Sequence, residues 1–189
     1  TKVIQSKKNQ SFLSMSMMVS KERTVFIGDV NIHDRPSPDE LADIASGIAN
    51  TVKNLVYTPR VALLSFSNFG NPLRPSSKNI REAVTILSKR KVDFEFDGEM
   101  TAEVALNYDL IKQNYPFCRL SGPANVLIMP GLLSANISFK LLQNMGAVSV
   151  LGPLMIGGEN PFQIVQMGSN VSDVVNSAAI AAYNAVYSK

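Results

Sequence analysis

One cysteine, Cys118, has no second thiol in the chain to pair with, so an internal disulfide is excluded and the reducing cytoplasm is the default compartment. One histidine, His33, rules out any zinc set or acid–base arrangement that needs two imidazoles. No run approaches the ~18 consecutive apolar residues of a membrane span. The methionine-rich stretch 11–20 is too short and too polar for a signal peptide. No Gly-x-Gly-x-x-Gly occurs to seat a dinucleotide. Charge is sparse, at 17% of residues and a net +3. Its only dense basic spots, Lys7-Lys8 and Lys89-Arg90-Lys91, lack interleaved aromatics, so no nucleic-acid partner is expected.

What the chain has instead is apolar substance in short, punctuated pieces, 46% of residues among 11 glycines and 10 prolines. The stretch 122–161 shows the grammar. Val126 to Met129 is an apolar run that breaks at Pro130-Gly131. Leu133, Ile137, Leu141 and Met145 then recur every fourth residue, which predicts one buried helix face, and Gly146 closes the helix. A second apolar run, 147–151, stops at Gly152-Pro153. Strand, helix, strand with glycine between is a βαβ unit.

The remainder repeats that grammar. Thr24 to Gly28 reads as a short strand, and 11–20 as a tail or the end of an upstream helix. Ser37-Pro38-Asp39-Glu40 starts a helix reaching about Leu55, with Leu41, Ile44, Ile48 and Val52 inward. A buried strand, 60–66, leads into the polar loop Ser67-Asn68-Phe69-Gly70. Ser76 or Ser77 caps a helix to Lys89, with Ile80, Val84 and Leu87 inward. The stretch 92–96 alternates as an edge strand does, Asp97-Gly98-Glu99-Met100 reads as a loop, and Thr101 caps a helix to about Ile111. A short strand is expected at 162–166. Asn170 then caps a last helix, with Asp173 in its first turn and Val174, Val175, Ala178, Ala182 and Val186 along it. These pieces predict an α/β fold, with helices on both sides of a largely parallel sheet.

Few side chains suggest chemistry. His33, in a Pro/Asp-rich loop, reads as a polar loop residue, and Cys118 as a buried, inert thiol. Asp97 and Glu99 flank a glycine; they suit either acid–base work or a turn that bonds its own backbone. Gly157-Gly158 could admit an anion against bare amides. Ser67-Asn68 lies just past a strand's carboxyl end, where α/β folds place ligands, although a plain polar turn explains it as well. No metal set is expected.

Several motifs go further together. Val61-Ala-Leu-Leu-Ser-Phe-Ser-Asn-Phe-Gly70, Asp97-Gly-Glu-Met100, Gly122-Pro-Ala-Asn-Val-Leu-Ile-Met-Pro130, Asn136-Ile-Ser-Phe-Lys-Leu-Leu-Gln143, Gly152-Pro153 and Asp173-Val-Val-Asn176 occur in this order. In that order the chain resembles the phosphate acetyl/butyryltransferase family. The Ser-Asn-Phe-Gly loop looks most like the branch fused to the C-terminus of bacterial NADP-type malic enzymes. The resemblance implies a three-layer α/β/α sandwich of the isocitrate/isopropylmalate dehydrogenase type, as in phosphate acetyltransferases. It also implies an active cleft between two domains, and a homodimer or higher oligomer through the second domain. On this reading 1–20 is a tail or helix end, 21–151 the second domain, and 152–189 a strand and helix returning to a largely absent first domain.

Active members of that family move an acetyl group between phosphate and coenzyme A. Asp173 matches the aspartate that helps take the thiol proton. Gln166 and Met167 stand where those members carry serine and arginine, and Asn144 where they carry another arginine. Neither methionine nor asparagine offers the bidentate fork that arginine gives a phosphoryl group. The resemblance therefore implies a non-catalytic, dimerising module that binds acetyl-CoA as a regulator, with a tentative acyl-CoA cleft at Ser67, Asn68, Gly157, Gly158, Gln166 and Asp173. An active phosphate acetyltransferase and a purely structural oligomerisation domain are the alternatives. No cofactor is expected within this chain; NADP and a divalent metal would belong to upstream malic-enzyme domains.

Overall fold

Ser37 begins the first helix, α1 (Pro38–Asn54), chemically. Its hydroxyl accepts from the Glu40 N–H while the Glu40 carboxylate accepts from the Ser37 N–H at 2.8 Å, a reciprocal capping box with proline at the first position. Leu41, Ile44, Ile48 and Val52 are buried along one stripe, as their spacing predicts. In the computed structural model, which describes residues 4–6, 11–29, 31–146 and 149–187, that stripe lies on a six-stranded sheet. The strands are β1 (Leu13–Val19), β2 (Thr24–Gly28), β3 (Arg60–Leu64), β4 (Glu95–Met100), β5 (Val126–Ile128) and β6 (Ser149–Ile156). Their order is β4-β3-β5-β2-β1-β6. Five run one way; β1 alone is reversed, antiparallel to both β2 and β6.

Successive strand residues serve opposite faces, which makes three layers. Phe26, Val61, Leu63, Val126 and Ile128 meet α1 and α2 (Lys78–Arg90). Ile27, Ala62, Leu64 and Leu127 meet α3 (Ala102–Leu106), α4 (Tyr108–Asn114) and α5 (Leu132–Asn144). The last helix, α6 (Val171–Tyr187), lies by β6 and contributes Ile180 to the α1 side. Helices on both faces of a mainly parallel sheet agree with the sequence.

Several boundaries differ. Residues 13–19 are neither tail nor helix end. They form β1, the strand between β2 and β6, because Leu13 and Met15 alternate with the small Ser14 and Ser16 and fit a two-sided sheet. The remaining ends of the expected tail, 1–3 and 7–10, lie outside the described residues, as does the expected strand start at 147–148. Gly152-Pro153 does not end a strand: β6 continues to Ile156, and its pairing with β1 shifts opposite this dipeptide. An edge strand tolerates proline at such an irregularity, since no ladder N–H is needed there. The expected boundary between 151 and 152 therefore falls inside one strand, and 162–166 form no strand. Asp97-Gly98-Glu99-Met100 belongs to β4 rather than to a loop. Gly98 has φ +155°, and a Cβ there would stand 2.6 Å from the Leu63 carbonyl oxygen. The helix expected after Thr101 breaks at Asn107, whose side chain accepts from Leu110 N–H and caps α4 separately.

The largest difference is α5. Its buried residues are Ala135 and Phe139. Leu133, Ile137, Leu141 and Met145 are exposed at 74%, 51%, 59% and 75%. The helix is apolar on two faces, and the sheet takes the smaller one. Gly146 does follow the helix at φ +71°. The valines of α6 behave alike: Val174, Val175 and Val186 are exposed.

Candidate functional site

The six residues of the expected cleft lie in three places. Ser67 and Asn68 follow β3 and are consumed by the fold. The buried Ser67 hydroxyl donates to the Glu99 carboxylate, and Asn68 Oδ1 accepts from Thr101 N–H at 2.8 Å. Asn68 and Asn71 exchange backbone hydrogen bonds across Phe69-Gly70, both at positive φ, which is a tight turn. Phe69 packs on Tyr115 and Phe117.

Asp97 and Glu99 do not face one another as an acid–base pair; each is bound to its own arginine. Glu99, fully buried, accepts from Arg81 Nη1 at 2.9 and 3.1 Å. Asp97 accepts from Arg119 Nη2 at 2.9 Å and from the Arg119 and Gly98 N–H groups. Arg119 also lies 4.3 Å over the Phe96 ring. These pairs tie α2 and the segment after α4 to edge strand β4.

Cys118 sits beside Asp97, and burial, the largest cause, pushes its thiol up to about 11. At pH 8 about one molecule in a thousand carries thiolate, so labelling by an aromatic disulfide reagent is expected to be roughly a hundredfold slower than for a free thiol. The rate should climb about tenfold per pH unit toward pH 11. Rapid labelling at pH 8 would contradict this burial.

His33 is better placed than its sequence context suggests. Its Nδ1–H donates to Asp29 Oδ2 at 2.6 Å, and Asp29, nearly buried at the end of β2, also accepts from the His33 and Asn31 N–H groups and from the Ser14 hydroxyl. No motif in the sequence joins Asp29 to Ser14, which stand 15 residues apart and meet only across the β1–β2 pairing. Among the described residues no group of three or more His, Cys, Asp or Glu could hold a metal.

Gly157 and Gly158 line an open cavity of about 680 Å³ between α1, the end of β6 and α6. A Cβ at Gly157 (φ +89°) would lie 2.5 Å from the Ser11 carbonyl oxygen, so this glycine serves the close approach of the chain's own backbone. Among the described residues, the charged ones lining this cavity are Asp43 and Glu159, with Asn50, Asn54 and Asn184 beside them.

Gln166 and Asp173 line a second, smaller cavity of about 150 Å³ with Gln143, Ser169, Ser177 and Gly152. Asp173 reads as expected from the sequence: Asn170 Oδ1 accepts from Asp173 N–H and Asp173 Oδ2 from Asn170 N–H, both at 3.0 Å, which caps α6. Met167 is fully exposed and Asn144 donates to the Lys140 carbonyl of its own helix. Lys140 Nζ donates to Gln143 Oε1 at 3.4 Å and Gln166 Oε1 at 3.3 Å.

Comparison with known proteins gives these cavities a context. The family model described as phosphate acetyl/butaryl transferase matches residues 1–182. An NADP-dependent malic enzyme of Rhizobium meliloti is 51% identical over 96% of this chain, which spans 24% of that enzyme's length. A phosphate acetyltransferase of Helicobacter pylori is 32% identical over 97% of this chain and 36% of its own length. Among solved structures, the EutD phosphotransacetylase of Staphylococcus aureus superposes with a TM-score of 0.90 at 28% identity, covering 97% of this chain and 57% of that one.

Proposed function

Because the chain belongs to the phosphate acetyl/butaryl transferase family, we propose that it serves as the phosphotransacetylase-like module of a malic enzyme, dimerising and binding acetyl-CoA as a regulator without turning it over. The oxidative decarboxylation of malate, with its NADP and divalent metal, belongs on this reading to upstream domains of a longer polypeptide in the cytoplasm. Support for the malic-enzyme context is the 51% identity to a protein of which this chain spans about a quarter.

The observation that carries the loss of turnover is the cavity of Gln166 and Asp173. No arginine is among the described residues that line it. Acetyl transfer to or from phosphate develops charge on phosphoryl oxygens, and each missing cationic donor costs about 10²–10³ in rate. Asp173 remains to accept a proton, but its carboxylate is engaged in the α6 cap. Support for dimerisation is the exposed apolar stripe of Leu133, Ile137, Leu141 and Met145 along α5.

The likeness to a phosphate acetyltransferase over 97% of the chain favours a second reading, an active transferase. An assay of acetyl-CoA formation from acetyl phosphate and coenzyme A separates the two. The expected result is no turnover above background. Turnover at rates ordinary for enzymes, about 1–10³ s⁻¹, would replace the regulatory reading with the catalytic one. A stable dimer that binds no CoA ester would leave a structural oligomerisation role.

A further inference from the structure

We infer that the Gln163 side chain guards the free edge of the sheet, fastening segment 159–170 beside β6 so that a second copy of the chain adds no strand there. β6 ends the strand order, and among the described residues it pairs with β1 alone. At Met155 the side turned away from β1 meets an amide in place of a strand. Met155 N–H donates to Gln163 Oε1 at 2.8 Å, and Gln163 Nε2 donates to the Met155 carbonyl at 3.4 Å. A carboxamide holds an acceptor and a donor side by side, the same two groups that a neighbouring strand would bring to that residue.

An edge with unpaired N–H and C=O groups is a template for another chain, and proteins close such edges with proline, charge or a covering loop. Charge is missing here: Ser149–Ile156 carries no ionisable side chain. Pro153 closes one position, because it has no N–H to give and lies where the pairing with β1 is irregular. Beyond it run Leu154, Met155 and Ile156, an apolar stretch with full ladder capacity, and there the cover is Gln163. Beside it the Phe162 ring stands edge-on to Phe12, centroids 5.6 Å apart, just ahead of β1. Residues 164–166 continue past Val150, Leu151 and Leu154, with which they line the smaller cavity. Segment 159–170 has no helix or strand of its own, and Ile164 and Val165 are 52% and 42% exposed. A segment of that kind opens easily unless side chains hold it, and Gln163 supplies the polar part of the hold.

The test compares wild type, Gln163→Ala and Gln163→Lys in the intact protein. Amide hydrogen exchange is read by mass spectrometry on fragments covering 149–156, and size by sedimentation velocity over a range of concentrations. Loss of the amide speeds exchange at Met155 by about tenfold in both variants, the factor that corresponds to the net contribution of a hydrogen bond, while fragments of β3 and β5 keep wild-type rates. The variants then part. Gln163→Ala forms species larger than the wild type that grow with concentration, whereas Gln163→Lys stays at wild-type size, because an ammonium blunts the edge in another way. Gln163→Ser repeats the comparison should the alanine variant fold poorly. Unchanged exchange in Gln163→Ala overturns the inference, and so does faster exchange with no larger species. Larger species from both variants, or fast exchange that spreads to β3 and β5, trace the association to a general loss of stability and overturn it as well.

Discussion

Arg81→Met is expected to lower stability by about 3 kcal/mol, read as a drop in urea midpoint at unchanged slope. The loss follows from where Glu99 lies. Its carboxylate is fully buried on β4 and accepts from Arg81 and from the Ser67 hydroxyl. Removing one member of a buried pair strands the other's charge, a cost of about 3–5 kcal/mol. Arg81 is partly solvated, which favours the lower end. For a domain of this size the melting temperature should fall by roughly 6–12 °C. Glu99→Gln should cost less, because Arg81 can turn its guanidinium to water. The tight turn at Phe69-Gly70 should loosen with the pair, since Phe69 N–H donates to the Glu99 carbonyl at 2.7 Å. An Arg81→Met protein within ~0.5 kcal/mol of wild type would mean that the ion pair contributes nothing to holding β4 and α2 together.

If α5 carries the proposed dimer contact, Leu141→Glu is expected to leave a monomer at micromolar concentration where the wild type is a dimer, as followed by sedimentation velocity. Leu133, Ile137, Leu141 and Met145 form an apolar stripe along the outer side of α5, each more than half exposed. Burying such a side chain stabilises by about 1.5–3 kcal/mol, and a two-fold interface uses every substituted position twice. A carboxylate at 141 would bring two like charges into the seam. Ala135 and Phe139, on the opposite side, hold the helix to its own sheet, so folding should be spared. A wild type that sediments as a monomer, or a variant that stays dimeric, would remove α5 from the interface.

The same helix shows what the sequence could and could not tell. Period 3.6 located α5 and its glycine stop, but two apolar faces satisfy that period equally, and only the neighbouring sheet decides which is inward. Local chemistry was fully legible where partners are close in sequence. Ser37 with Glu40, and Asn170 with Asp173, each cap a helix within three residues. β1 was lost because methionine and serine carry little strand preference, while the alternation of Leu13 and Met15 with Ser14 and Ser16 was the available signal. Glu99 and Arg81 stand 18 residues apart, and Lys140 and Gln166 stand 26 apart. No periodicity joins such pairs; the fold brings them together. For the same reason Ser67 and Gly157 read as ligand positions, although one feeds a buried carboxylate and the other makes room for the Ser11 backbone.

Malate-dependent NADP reduction by the full-length polypeptide, with and without acetyl-CoA and with the CoA ester quantified afterwards, tests the central claim most directly. The regulatory account predicts that acetyl-CoA shifts malate turnover and is recovered intact, and that malate in turn alters acetyl-CoA affinity by the same factor. Malate turnover indifferent to acetyl-CoA, or acetyl-CoA consumed with phosphate to give acetyl phosphate, would contradict it.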